Sequence, residues 1–243
     1  MPEKRAGLDL ETRARHSSWA MTDHSQPLAL ITGVGPGTGA ALVHRFVEGG
    51  HRVAMLARDA ERLAEIERAA PSAHAYPCDV TDAAALDAAL SRIETELGTP
   101  AVVVHNAVGG AFGSFLQVEP EVLERNFQVN VMALYRLARR LAPKMAEAGG
   151  GALIVTGNTS ALRGKANFAG FAPTKAAQRI LAEAIAREMG PKGLHVAYLV
   201  IDAVIEPDAL REELIRRFAR ASARRDARAG MGAASKRNPV TPV

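Results

Sequence analysis

Six short apolar runs, each followed at close spacing by a segment of helical periodicity, limit this chain more than any other feature. The runs fall at 28–32, 52–57, 73–76, 101–105, 152–156 and 195–201, and read as strands buried on both faces. Between them, apolar residues recur at helical spacing over about 38–49, 60–69, 82–97, 119–147 and 172–189. Strand and helix in strict alternation imply parallel βαβ units with right-handed crossovers. The expected fold is therefore α/β, a Rossmann-type doubly wound parallel sheet in a single domain, with six clear strands and no regular seventh.

Local punctuation agrees with these boundaries. Asp82 or Thr81 can cap the third helix, Gly149-Gly150-Gly151 stops the long fourth one, and Gly190-Pro191 ends the fifth. Residues 1–26 are polar, lack apolar periodicity and read as a flexible extension, with Met21 as an alternative to Met1 as the native start. A single α/β domain is expected over 27–207. A last helix opening at Asp208 and a basic, disordered tail are expected over 208–243.

Charge placement decides against a nucleic-acid platform. Residues 209–243 hold nine Lys/Arg against three acids, whereas the whole chain carries only +4, so the body is slightly acidic. The basic stretch reads as a solvated helix face and tail, with binding to an anionic polymer as the rarer alternative. No run of eighteen apolar residues occurs, so no membrane partner is expected. The lone Cys78 cannot pair within the chain and points to a reducing, cytoplasmic compartment. No His/Cys/Asp/Glu grouping has metal-ligand spacing, and no metal is expected.

The first strand leads directly into Thr32-Gly33-Val34-Gly35-Pro36-Gly37-Thr38-Gly39 and then an apolar helix. Glycines at such a turn permit positive φ, bring a pyrophosphate close to the backbone and expose helix N-terminal amides to its charge. The spacing is Thr-Gly-x-x-x-Gly-x-Gly through Thr32, Gly33, Gly37 and Gly39. Together with Asp79-Val80, Asn106-Ala107, Asn130 and Lys175 in that order, the sequence resembles the short-chain dehydrogenase/reductase family over roughly 28–207.

That resemblance implies a nicotinamide dinucleotide bound by the glycine turn, with adenine near Asp79 and Val80 and with Asn106 and Ala107 beside it. At the end of the second strand, Ala57 stands where an acid would bind a ribose hydroxyl, and Arg58 follows. Arg58, aided by Arg62, favours NADP(H) over NAD(H), because a guanidinium matches a phosphate. Asp59 is the competing acid, although a helix-capping role is more economical for it.

The family's proton-transferring residues are altered. A Tyr-x-x-x-Lys pair is implied on one helical face, yet Lys175 is preceded at that register by Phe171, which has no hydroxyl. The serine position holds Asn158, and Asn130 stands in the water-positioning place. Ile201-Asp202 replaces a Pro-Gly, and Glu206 a threonine. These departures resemble an atypical subgroup with Phe in place of the catalytic Tyr.

Asn158 can still orient a carbonyl oxygen or act only as a turn residue. Thr174, Ser160, Thr159 and His105 can relay the proton or merely bond the backbone. Glu206 can pair with Arg163 or with a cationic substrate. The expected function is NADP(H)-dependent oxidation or reduction of a carbonyl/alcohol pair in a small apolar molecule, by a homodimer or homotetramer. Alternatives are a catalytically silent cofactor-binding protein or redox sensor, and non-redox dehydration or isomerisation on the same fold.

Overall fold

The computed structural model describes residues 26–202. One six-stranded sheet forms its centre, made of β1 (Leu28–Thr32), β2 (Arg52–Ala57), β3 (Ala73–Pro77), β4 (Val102–His105), β5 (Gly151–Asn158) and β6 (Leu194–Ile201). All pairings are parallel, in the order β3-β2-β1-β4-β5-β6. Winding reverses between β1 and β4, and a crevice opens beyond the carboxyl ends of these two strands.

Helices α1 (Thr38–Glu48) and α2 (Ala60–Ala69) cover one face, where Val43 and Leu63 pack on Ile31, Met55 and Val53. On the other face lie α3 (Ala83–Glu96), α5 (Ala133–Glu147) and α6 (Ala172–Met189). Leu137, Leu141 and Met145, the apolar stripe of the long helix, are almost wholly buried within this second core. Asp59 caps α2 by accepting from Arg62 N, and Asp82 caps α3 by accepting from Ala84 N and Ala85 N. Each cap satisfies amides at a helix start that have no intrahelical partner.

Two expectations change. The helix expected over 119–147 is broken into α4 (Pro120–Phe127), a π turn at Gln128–Met132, and α5. In that widened turn Asn130 is fully buried, with its side chain bonded to the backbone of Gly109. Secondly, β6 is only partly covered, with Leu199 and Val200 each 45% exposed, because it forms the edge of the sheet among the described residues. The extension at 1–26, except Gln26, and the expected helix and tail at 208–243 lie outside the described residues, as does Glu206.

Candidate functional site

The glycine turn is shaped by backbone crowding at the crevice. Gly33 has φ +73°, and a Cβ there would stand 2.5 Å from the backbone of Ala107. Its amide donates to Leu56 O at 2.8 Å, while its carbonyl accepts from Asn106 Nδ2 at 2.9 Å. A Cβ on Gly39 would meet Gly33 O at 2.4 Å, so this glycine lets the first turn of α1 close against the loop. Gly37 occupies the N-cap of α1 without a side-chain bond, and the first turn contains no acid. Ala40 N turns back to Gly35 O at 3.0 Å, while the amides of Thr38 and Gly39 and the helix dipole are left to an anion.

Beside this turn runs a cleft of about 1060 Å³, lined by Gly33, Gly37 and Gly39 on one side. Arg58, Asp79 and Val80 line its far end, and Asn106 and Ala107 its floor. Thr32 lies beneath, fully buried, and its hydroxyl accepts from Ala107 N at 3.3 Å. Asp79 Oδ1 accepts from Thr81 N and Oγ1, which together with the charge of Arg58 holds its carboxyl below the ordinary range. Asp59, besides its cap, pairs with Arg62 at 2.9 Å. Arg58 has no ion-pair partner among the described residues.

These residues fit a dinucleotide. The turn is stripped of side chains where a pyrophosphate would approach, Gly35 has nothing within 4 Å of where its Cβ would be, and a cation stands free at the far end.

A smaller hollow of about 200 Å³ adjoins the cleft, lined by Thr156, Asn158, Phe171, Lys175 and Ile201 among others. Lys175 is 2% exposed, and its Nζ donates to Thr156 O at 2.9 Å and Gln178 Oε1 at 2.7 Å. Burial pushes its ammonium down to about 8. The Phe171 ring lies with its centroid 5.9 Å from Lys175 Nζ and packs against Phe112 at 5.6 Å. A Cβ on Gly110 would stand 2.8 Å from that ring, which explains the small residue there.

The other candidate proton carriers are buried or bonded elsewhere. Thr174 is fully buried, donating to Phe171 O at 2.9 Å and accepting from Asn130 Nδ2 at 2.8 Å. His105 is fully buried between Thr32 Oγ1 and Val129 O, and burial pushes its imidazole down to about 4. Thr159 Oγ1 donates to Asp202 Oδ1 at 2.8 Å, and Ser160 is buried. Asn158 sits at the end of β5, where its Nδ2 donates to Ile201 O and its Oδ1 accepts from Ser160 N. It thereby ties β5 to β6, a role that follows from the strand running two residues beyond its expected end at 156.

Sequence reading missed Gln178 and the aromatic contact of Phe112 with Phe171. Gln178 carried a signal, since it lies three residues beyond Lys175 and so shares its helical face. Phe112 carried none, because loop conformation brings it to the site.

The sequence matches the short chain dehydrogenase family model over residues 27–212. It is 31% identical over 169 residues to D-erythrulose reductase from Gallus gallus, covering 69% of this chain and 67% of that one. L-sorbose reductase from Gluconobacter frateurii, solved with NADPH and L-sorbose, superimposes with a TM-score of 0.73 at 27% identity, over 79% of this chain and 76% of that chain. A 3-ketoacyl-(acyl-carrier-protein) reductase from Brucella melitensis, complexed with NADH, gives 0.69 at 28% identity over 74% and 76%. Glycine turn, sheet order and placement of Lys175 thus coincide with a family match spanning the whole described domain, and the chain belongs to the short-chain dehydrogenases.

Proposed function

We propose that this chain is an NADP(H)-dependent oxidoreductase acting on the carbonyl/alcohol pair of a small apolar molecule, with an altered proton-transfer site. The observation that carries the reading is Lys175. Among the described residues it is the one ionisable side chain lining the hollow next to the dinucleotide-sized cleft, and burial pushes its ammonium down to about 8.

A bound nicotinamide dinucleotide supplies the hydride. Gly33, Gly37 and Gly39 would hold its pyrophosphate, Asp79 and Val80 would lie by the adenine, and Asn106 and Ala107 would form the adjoining wall. Arg58 would meet a 2′-phosphate. This supports NADP(H) as the preferred form, alongside the NADPH named for the sorbose reductase.

Lys175 then takes the role that Phe171 cannot fill. Lys175 Nζ would deliver a proton to the substrate oxygen and be reprotonated from solvent. Phe171 and the exposed Val108 and Phe112 give this end of the site an apolar wall, which supports an apolar substrate.

A second reading has specific support. With Phe171 lacking a hydroxyl and Thr174, His105 and Asn158 bonded elsewhere, the site also suits a protein that binds the dinucleotide without turning it over. Calorimetric titration with NADPH, followed by NADPH oxidation with a panel of ketones, aldehydes and quinones, separates the two. Binding with turnover supports the oxidoreductase, binding with no turnover across the panel supports the silent protein, and absence of binding refutes both.

A further inference from the structure

The side chain of Gln178 is fully buried, and both ends of its amide are in use. Its Oε1 accepts from Lys175 Nζ at 2.7 Å, and its Nε2 donates to the main-chain carbonyl of Asn130 at 2.8 Å. The orientation follows from chemistry: an ammonium only donates and a carbonyl only accepts, so oxygen must face Lys175 and nitrogen must face Asn130.

We infer that Gln178 is the positioning residue for Lys175, its amide bridging the ammonium to the π-turn carbonyl of Asn130. Two consequences follow for the site. The bridge gives the Asn130 carbonyl a protein donor, Gln178 Nε2. It also fixes a second of the three N–H donors of Lys175, after the one directed to Thr156 O, and leaves the third for the hollow that Lys175 lines.

Among the described residues, no other charge competes for this task. His105 of β4 lies within electrostatic reach but is held neutral by burial. Tyr198 of β6 donates its hydroxyl to the Lys175 main-chain carbonyl at 3.3 Å, and burial holds that phenol above its ordinary value. On α6 itself Arg179 is paired with Glu183. Thr156 of β5, Asn130 of the π turn and Thr159 and Ser160 of the following turn carry no charge. Without Gln178, the ammonium keeps Thr156 O alone and the Asn130 carbonyl loses its Nε2–H donor.

The inference rests on the assignment of Lys175 as the proton-handling group, but its titration test needs neither cofactor nor substrate. The Lys175 titration is followed by NMR in cofactor-free protein labelled at lysine, with Lys175→Met identifying the signal. Gln178→Glu places a carboxylate against the ammonium and is expected to raise the titration midpoint by about one pH unit or more. Gln178→Met, similar in length but without an acceptor, is expected to lower it and to weaken NADPH binding at pH 7 by roughly tenfold.

Gln178→Asn, too short to span both partners, is the replacement should Gln178→Met fail to fold, and the same downward movement is expected. Midpoints that stay at the parent value in folded Glu and Met (or Asn) variants would overturn the bridge. Variants that show the expected titration shifts, together with a parent protein that binds no NADPH, would refute the proposed function and leave the bridge standing.

Discussion

Thr32 Oγ1 and His105 Nδ1 meet 3.0 Å apart at the carboxyl ends of two neighbouring parallel strands, both side chains wholly buried. The direction of the bond follows from its surroundings. His105 Nε2 faces Val129 O at 3.2 Å, and a carbonyl can only accept, so the ring proton is on Nε2. Nδ1 therefore accepts from the Thr32 hydroxyl, whose oxygen accepts in turn from Ala107 N. This chain ties the glycine turn, the floor of the cleft and the π turn together, and it requires a neutral imidazole.

Acid should therefore loosen the site through His105. The folded chain takes up this proton only near pH 4, whereas an unfolded histidine does so near 6.5, so the unfolded state binds more protons in between. Stability falls as pH drops from 6.5 to about 4, by roughly 3 kcal/mol from this group, and this contribution changes no further below that. Urea midpoints at pH 7, 6, 5 and 4 should show the slope, and His105→Gln should flatten it. An equal slope in the variant would place the acid sensitivity elsewhere.

Gly33 and Gly35 should separate folding from binding. Gly33→Ala puts a methyl group against Ala107 at a positive φ and is expected to cost about 2 kcal/mol or more in thermal or denaturant unfolding. Gly35→Ala meets nothing within 4 Å and should change stability by less than about 0.5 kcal/mol. Because Gly35 lines the cleft, its variant should still lose dinucleotide affinity. Undiminished NADPH binding by folded Gly35→Ala would argue that the pyrophosphate lies elsewhere.

Arg58 should set cofactor choice. NADPH is expected to bind at least tenfold tighter than NADH, which corresponds to about 1.4 kcal/mol. Arg58→Ala should erase that difference while leaving NADH affinity unchanged. Calorimetry that finds equal affinities in the parent protein would remove the assignment.

The altered proton site makes opposite forecasts for two substitutions. Phe171→Tyr adds a hydroxyl to a ring already seated near Lys175, so it should cost little stability and raise NADPH oxidation by roughly 10² to 10⁴-fold. Asn158→Ser removes the bond to Ile201 O and should destabilise by about 1 kcal/mol without a gain in rate. A parent enzyme that turns over briskly and slows on Phe171→Tyr would show that the native site has its own proton path, with Lys175 the group to test next.

Self-association is expected through α5 and α6. Their stripe at Leu137, Leu141 and Met145 is already consumed by the core of the protomer, and the large apolar residues left exposed on these helices are Tyr135 and Ile180. Sedimentation should report at least a homodimer at micromolar concentration, and Ile180→Glu should shift it toward monomer. A monomeric parent would contradict this.

The period of the apolar runs was enough to determine a parallel doubly wound sheet, because burial on both faces and strand–helix alternation are properties of local sequence. Gly33, Gly39, Asp59, Asp82 and Lys175 were legible for the same reason: φ, capping and i, i+4 spacing act over a few residues. Tertiary structure alone decided what lies between distant segments. It broke the long helix at Asn130, stitched Asn158 to Ile201 across 43 residues, and buried His105 between Thr32 and Val129. It also placed Gln178 between Lys175 and the Asn130 carbonyl. Hydrogen-bond partners brought together by folding leave no periodic trace in the chain. For that reason the cofactor cleft could be read from sequence, while the occupancy of each polar group around Phe171 could not.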